Sequence, residues 1–288
     1  MASSSSSAKV WLITGCSSGL GRELAIAARK RGDLVVATAR KVEALEDLKK
    51  LGCETLALDI SASEDEVKQA VDTAQAFYGR IDILVNNAGY TTLGTVEEAS
   101  DKDLLEMFDT NVFGHQRVIR GVLPYMRAKR SGVIANIGSG AGYTAIPVNG
   151  VYGATKFAIA GLTQSLAQEV AHLGIEVTVV DLGIYRTSIL SHERSFKHAI
   201  EDYAPVKKAV LEMMATGVGV RPQDPAKGAQ ALVEALTKTG RCAGLTLPRR
   251  MPLGGEMMPL MDGELAAREK EKNEWVAFTK PEAFAFDA

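Results

Sequence analysis

Thr14-Gly15-Cys16-Ser17-Ser18-Gly19-Leu20-Gly21 follows the apolar run Lys9–Thr14 and opens a helical pattern over residues 20–31. Gly15, Gly19 and Gly21 let the backbone turn tightly and come close to a pyrophosphate. The following helix start, with Ser17, Ser18 and Leu20, offers free N–H groups and a partial positive charge. The spacing T-G-x-x-x-G-x-G differs from the common G-x-G-x-x-G, and three glycines alone also suit a plain tight connector. The strand before and the helix after favour a nucleotide.

Outward from this turn, short apolar or β-branched runs alternate with longer helical patterns. The runs are Leu34–Ala39, Glu54–Asp59, Ile83–Asn86, Gly132–Ile137, Glu176–Asp181 and Gly244–Leu247; the helical patterns lie near 41–51, 63–78, 101–129, 151–173 and 224–239. Such alternation specifies an α/β fold: a Rossmann-type, doubly wound parallel sheet of about seven strands with helices on both faces. Its ligand crevice lies beyond the carboxyl ends of the strands. Residues 184–222 break the pattern and read as a substrate lobe, while 251–288 form a C-terminal extension with a helix near 263–278. Residues 9–250 are expected to form the dinucleotide-binding and catalytic domain, and 1–8 a disordered tail rather than a signal peptide.

The 288 residues, 46% hydrophobic and 24% charged, suffice for one large core. A net charge of −2 gives no field to gather nucleic acid, and no unbroken apolar stretch is long enough to span a membrane, so a cytoplasmic enzyme is the default expectation. Cys16, Cys53 and Cys242 form no C-x-x-C, and the four histidines lack metal-ligand spacing, so no metal is expected.

About twenty residues beyond the glycine turn, NAD sites place an acid on the ribose 2′-hydroxyl. Here strand two ends Ala39-Arg40-Lys41, with no carboxylate to repel a 2′-phosphate and with Arg40 able to grip one, which favours NADP(H). Asp59, closing strand three, is a candidate for the adenine ring and equally a turn or helix-capping residue.

Tyr152-Gly-Ala-Thr-Lys156 opens an apolar helix, so phenol and ammonium share one face. A free phenol titrates at about 10; working near neutrality takes about three units, or roughly 4 kcal/mol. One cation about 4 Å away supplies that order at an effective dielectric near 20. Ser139 follows strand five and offers a hydroxyl for a carbonyl oxygen. Asn86-Asn87-Ala88-Gly89 ends strand four at the crevice, and Asn111 sits in mid-helix, where an amide needs another reason to be.

In order and spacing these residues resemble the short-chain dehydrogenase/reductase family over roughly residues 8–250. The resemblance implies Tyr152 as general acid/base and Lys156 as the group that lowers its pKa and holds the nicotinamide ribose. It implies Ser139 as the residue that positions the substrate oxygen and Asn111 as the anchor of a relay water. Cofactor contacts fall to Gly15, Ser17, Ser18, Gly19, Leu20, Gly21, Arg40, Asp59, Asn87, Ala88, Gly89, Tyr152, Lys156, Gly183 and Thr187; substrate contacts fall to Ser139, Tyr152 and Tyr185. Two positions depart from the family: Leu182 replaces its proline before Gly183, and Gly138 replaces a frequent serine, an exchange expected to be harmless. The extension from Met251 to Trp275 is similar to that of retinol- and hydroxysteroid-dehydrogenase-like members and of fungal natural-product reductases, which implies a bulky apolar substrate.

The expected activity is NADPH-dependent reduction of a small-molecule ketone, or oxidation of the alcohol. By the same resemblance a homodimer or homotetramer forms through the helices near 101–129 and 151–173. Alternatives on this scaffold are a redox-neutral lyase or isomerase, or a non-catalytic NADP-binding sensor; the intact glycines, Tyr152 and Lys156 speak against both.

Overall fold

In the computed structural model, which describes residues 8–187, 195–216 and 222–279, seven strands form one parallel sheet in the order β3-β2-β1-β4-β5-β6-β7. The strands are β1 (Val10–Ile13), β2 (Leu34–Ala39), β3 (Glu54–Ala57), β4 (Ile83–Asn86), β5 (Gly132–Ile137), β6 (Ile175–Leu182) and β7 (Arg250–Leu253). Between them run α1 (Gly19–Lys30), α2 (Glu46–Lys50), α3 (Glu64–Tyr78), α4 (Asp101–Phe108), α5 (His115–Lys129), α6 (Gly150–Val170), α7 (Ala204–Thr216) and α8 (Pro225–Thr237); α9 (Met257–Trp275) follows β7.

Side chains alternate across each strand, so each face of the sheet receives its own core. From β1, Trp11 and Ile13 join Leu24 of α1 and Leu232 of α8 on one face. Leu12 joins Val71 of α3 and Val118 of α5 on the other. Both cores are closed to solvent: Trp11, Leu12, Ile13, Leu24, Val71, Val118 and Leu232 are fully buried. Strand order reverses between β1 and β4, which opens the crevice at their carboxyl ends. No described helix is long and apolar enough to cross a membrane.

Three local expectations need correction. The seventh strand is Arg250–Leu253 and not Gly244–Leu247, and it spans the 250/251 boundary at which the extension was expected to begin. It lies at the sheet edge, where Pro252 is tolerated because no further strand needs its missing N–H. The irregular stretch 184–222 contains the 13-residue helix α7, with Pro205 in its first turn, where the lost N–H has no helical partner anyway. Helix α9 begins at Met257, six residues before its expected start.

Candidate active site

Thr14 follows β1 fully buried, and its hydroxyl accepts the N–H groups of Asn87 and Ala88, each at 3.0 Å. The Asn87 amide returns two bonds, to the carbonyls of Thr14 (2.9 Å) and Gly15 (3.0 Å). Asn87 thus shapes the turn with its side chain. Thr14 was not singled out from sequence, although it heads the quoted stretch. A Cβ on Gly15 would stand 2.8 Å from the Ala88 Cα, and one on Gly21 2.3 Å from Asn87 Nδ2 and 2.6 Å from the Gly15 carbonyl oxygen. Gly15 and Gly19 have φ of +71° and +60°. Gly19 faces Thr187, whose Cβ an added methyl would meet at 3.3 Å, so the segment after β6 closes the same cradle. Ser17 and Ser18 lie exposed at its mouth, and Leu20 is buried beneath it. The shape and the open start of α1 fit a pyrophosphate. Arg40 is exposed at the end of β2, and the Asp59 carboxylate receives the Ser61 amide at 2.9 Å, a turn contact.

The other end of the crevice is built by β4, β5, α6 and a π-helical turn, Asp109–Gly114. A π turn inside a helix marks a place where backbone pairing is disturbed. Here buried Asn111 lies in that turn. Its amide donates to the Tyr90 carbonyl (2.9 Å) and to Thr155 Oγ1 (3.2 Å), and accepts the Tyr90 N–H (3.1 Å). Gly89 passes against it; a Cβ there would sit 3.0 Å from Asn111 Oδ1.

Ser139 caps the short turn Gly140–Gly142, accepting the Ala141 N–H at 3.1 Å, and its hydroxyl lies close enough to the Tyr152 phenol to act on its pKa. Lys156 is buried, donates to the Ile137 carbonyl at 2.7 Å and lies 5.5 Å from the centroid of the Tyr152 ring. Tyr152, Ser139, Lys156 and Asn111 therefore converge as the sequence reading expects. The electrostatics differ. Burial pushes the Tyr152 phenol up, with the nearby Ser139 hydroxyl opposing it, and pushes Lys156 down to about 8, with Asp181 opposing. The ammonium spends its bond on Ile137, so in this state it does not draw the phenol toward neutrality. His115 on α5 was missed: it meets the Ala88 carbonyl at 2.8 Å through Nε2, and burial, then Lys156, holds it down to about 3, hence neutral.

At Gly138 the fold itself requires glycine. A Cβ there would lie 2.7 Å from Val179 Cγ2 and 2.9 Å from Asp181 Oδ1, so the position has no room for one. Leu182, with an N–H that proline lacks, carries β6 on to pair in register with Leu253, and the Gly183 N–H donates to the Leu253 carbonyl at 2.9 Å. Tyr185 is not brought to the catalytic group. It is buried against Gly228 of α8, in a cleft of about 410 Å³ that also includes Asp224, Lys227 and Gly254.

Within the expected lobe, Phe196 packs with Met107 and Val151 in a small cluster that also touches Tyr90, Leu104 and Tyr152. Ile184 and Met213 are exposed; Ile189 and Leu190, and the side chain of Met214, lie outside the described residues. Glu98 ties the lobe down, accepting the amides of Thr95 and Ile200 (2.9 Å each) and the Lys207 ammonium (2.5 Å), while Tyr203 bonds Glu97. These bonds, Lys207 first, lower the Glu98 pKa from 4.5 to about 2. A depressed carboxyl stabilises fully above its unfolded value, and the contribution is lost as pH falls from 4.5 through about 2. Glu98→Gln is expected to speed amide exchange over 198–210 at pH 7, with a smaller difference from wild type near pH 2.5. Equal exchange in the two proteins at pH 7 would remove Glu98 as the tether.

The family profile described as short chain dehydrogenase matches residues 9–198. Oxidoreductase BOA17 of Botryotinia fuckeliana is 36% identical over 232 residues, covering 79% of this chain and 84% of its own. The crystal structure of a short-chain dehydrogenase from Streptomyces avermitilis superposes with a TM-score of 0.85 at 38% identity, over 96% of this chain and 98% of that one. A 3-ketoacyl-(acyl-carrier-protein) reductase from Brucella melitensis, complexed with NADH, superposes with a TM-score of 0.73 at 25% identity, over 86% and 98%. With the profile spanning the glycine cradle, the π turn and the Ser139–Lys156 cluster, the chain belongs to the short-chain dehydrogenase family of oxidoreductases.

Proposed function

We propose that this chain is an NADP(H)-dependent carbonyl reductase and alcohol dehydrogenase acting on a bulky, mostly apolar ketone or secondary alcohol. The observation that carries the reading is the convergence of Ser139, Tyr152 and buried Lys156 at the end of a crevice whose other end is the glycine cradle. The nicotinamide, when bound, gives or takes the hydride. Ser139 Oγ holds the substrate oxygen, and Tyr152 Oη delivers the proton to it in reduction or removes it in oxidation. Because burial raises the phenol, Tyr152 is protonated at neutral pH and ready to act as the acid. Lys156 and Asn111 border Gly89, where they would hold the nicotinamide ribose and extend the proton path.

Tyr90, Leu104, Val151 and Phe196 beside the phenol, with Met257 of α9 over Gly140, support a bulky apolar substrate. Exposed Leu105, Phe113, Phe157 and Leu162 on the α4–α6 surface suit a homodimer or homotetramer. The function is tested by following NADPH absorbance with a panel of cyclic and long-chain ketones.

Cofactor choice rests on exposed Arg40. Wild type should bind NADPH more tightly than NADH by about 1.5–3 kcal/mol, the worth of a charge-assisted contact. Arg40→Ala should erase most of that gap and leave NADH affinity nearly unchanged in fluorescence titrations. Equal affinities in wild type would end the NADP assignment.

A further inference from the structure

β6 and β7 carry a buried ion pair beyond the residues assigned above. Arg250 Nε donates to Asp181 Oδ2 at 2.7 Å and its NH2 group to Asp181 Oδ1 at 2.8 Å; NH2 also donates to the Gly142 carbonyl at 2.9 Å. The Asp181 side chain is 1% exposed and that of Arg250 19%. The guanidinium also lies 4.7 Å from the Tyr143 ring centroid. A buried bidentate pair is costly to desolvate, and its retention here calls for a task beyond stability.

The geometry supplies one. Gly142 ends the turn that Ser139 caps, and it lies flat on α6: a Cβ there would stand 2.8 Å from the Lys156 carbonyl carbon. Arg250 therefore grips the turn at the point where it touches the lysine. Asp181 reaches the same place: a Cβ on Gly138 would lie 2.9 Å from its Oδ1, and Gly138 directly follows Ile137, whose carbonyl holds the Lys156 ammonium at 2.7 Å, so the carboxylate's charge acts on that lysine. Gly138 is the accommodation that lets β5 pass the pair.

We propose that Asp181 and Arg250 are a positioning pair: Arg250 fixes the Ser139 turn through the Gly142 carbonyl, and the Asp181 carboxylate that it orients is the counter-charge that keeps buried Lys156 cationic. The role in turnover rests on the catalytic reading above; the effect on Lys156 does not. The titratable groups facing Lys156 are Tyr152 on its own helix, His115 on α5 and Asp181 on β6 with Arg250 behind it. His115, held down to about 3, stays neutral above pH 5, and Tyr152 is pushed up, so a transition near pH 8 belongs to Lys156.

Two variants separate the two tasks. Asp181→Asn removes the counter-charge. In the cofactor-free enzyme labelled with 13Cε-lysine, the Lys156 signal, assigned by its loss in Lys156→Met, should titrate lower than wild type by about one pH unit or more. The alkaline limb of kcat should move down with it. Arg250→Lys keeps a cation for Asp181 but loses the fork. It should leave the Lys156 titration within a few tenths of a unit while kcat falls on the order of ten- to hundredfold, as a misplaced site requires, with KM for NADPH little changed. An unmoved Lys156 titration in Asp181→Asn, or wild-type kcat in Arg250→Lys, overturns the proposal. If Asp181→Asn moves the titration while Tyr152→Phe stays active, the counter-charge stands and the catalytic assignment falls.

Discussion

Tyr152→Phe is expected to lower kcat by about 10²–10⁴-fold, the usual worth of a positioned acid/base, with NADPH affinity retained. The phenol oxygen lies by Ser139, while the cradle proposed for the phosphates is made by Gly15, Gly19 and Gly21 in the turn after β1. Phenylalanine keeps the ring against Val151 and Phe196, so the fold should not notice. Lys156→Met should lose both turnover and some NADPH affinity, because the ammonium lies beside Gly89 as well as the phenol. In reduction the wild-type rate should be flat through neutrality and fall above about pH 8, where Lys156 gives up its charge. Stopped-flow NADPH oxidation across pH 6–10 reads both effects. A Tyr152→Phe enzyme within threefold of wild type would mean that another group moves the proton.

The parts of this site that were legible in the sequence are those written into local chemistry. β2, β4 and β5 match their expected bounds because their β-branched and apolar runs end at turn residues. Tyr152 and Lys156 meet because a helix brings i and i+4 together wherever it lies. Features that depend on packing were hidden. β7 begins with Arg250 and contains Pro252, so it reads as loop, and the buried Asp181 on neighbouring β6 explains an arginine there. The π turn at Asn111 depends on Tyr90 and Thr155, 21 and 44 residues away. The upward shift of the Tyr152 phenol is not legible in the sequence for the same reason. A charge at contact distance can be assumed from spacing, but the burial that outweighs it, and the Ile137 carbonyl that takes the lysine's bond, come from the fold.

Gly21→Ala tests the other end of the crevice. Elsewhere a helical glycine-to-alanine change stabilises by up to about 1 kcal/mol. Here the new methyl would sit 2.3 Å from Asn87 Nδ2 and 2.6 Å from the Gly15 carbonyl oxygen. The side chain can swing away only by giving up its bonds to Thr14 and Gly15, and the carbonyl belongs to the backbone of the cradle itself. Either response reshapes the turn proposed to face the pyrophosphate. NADPH affinity should fall at least about a hundredfold, or 2.7 kcal/mol, in fluorescence titration. Gly263→Ala is the matched control, since an added Cβ in that part of α9 meets nothing within 4 Å, and it should bind NADPH like wild type. If Gly21→Ala also bound NADPH within threefold of wild type, the phosphates would have to lie away from the β1–α1 turn, and the crevice between β1 and β4 would need another occupant.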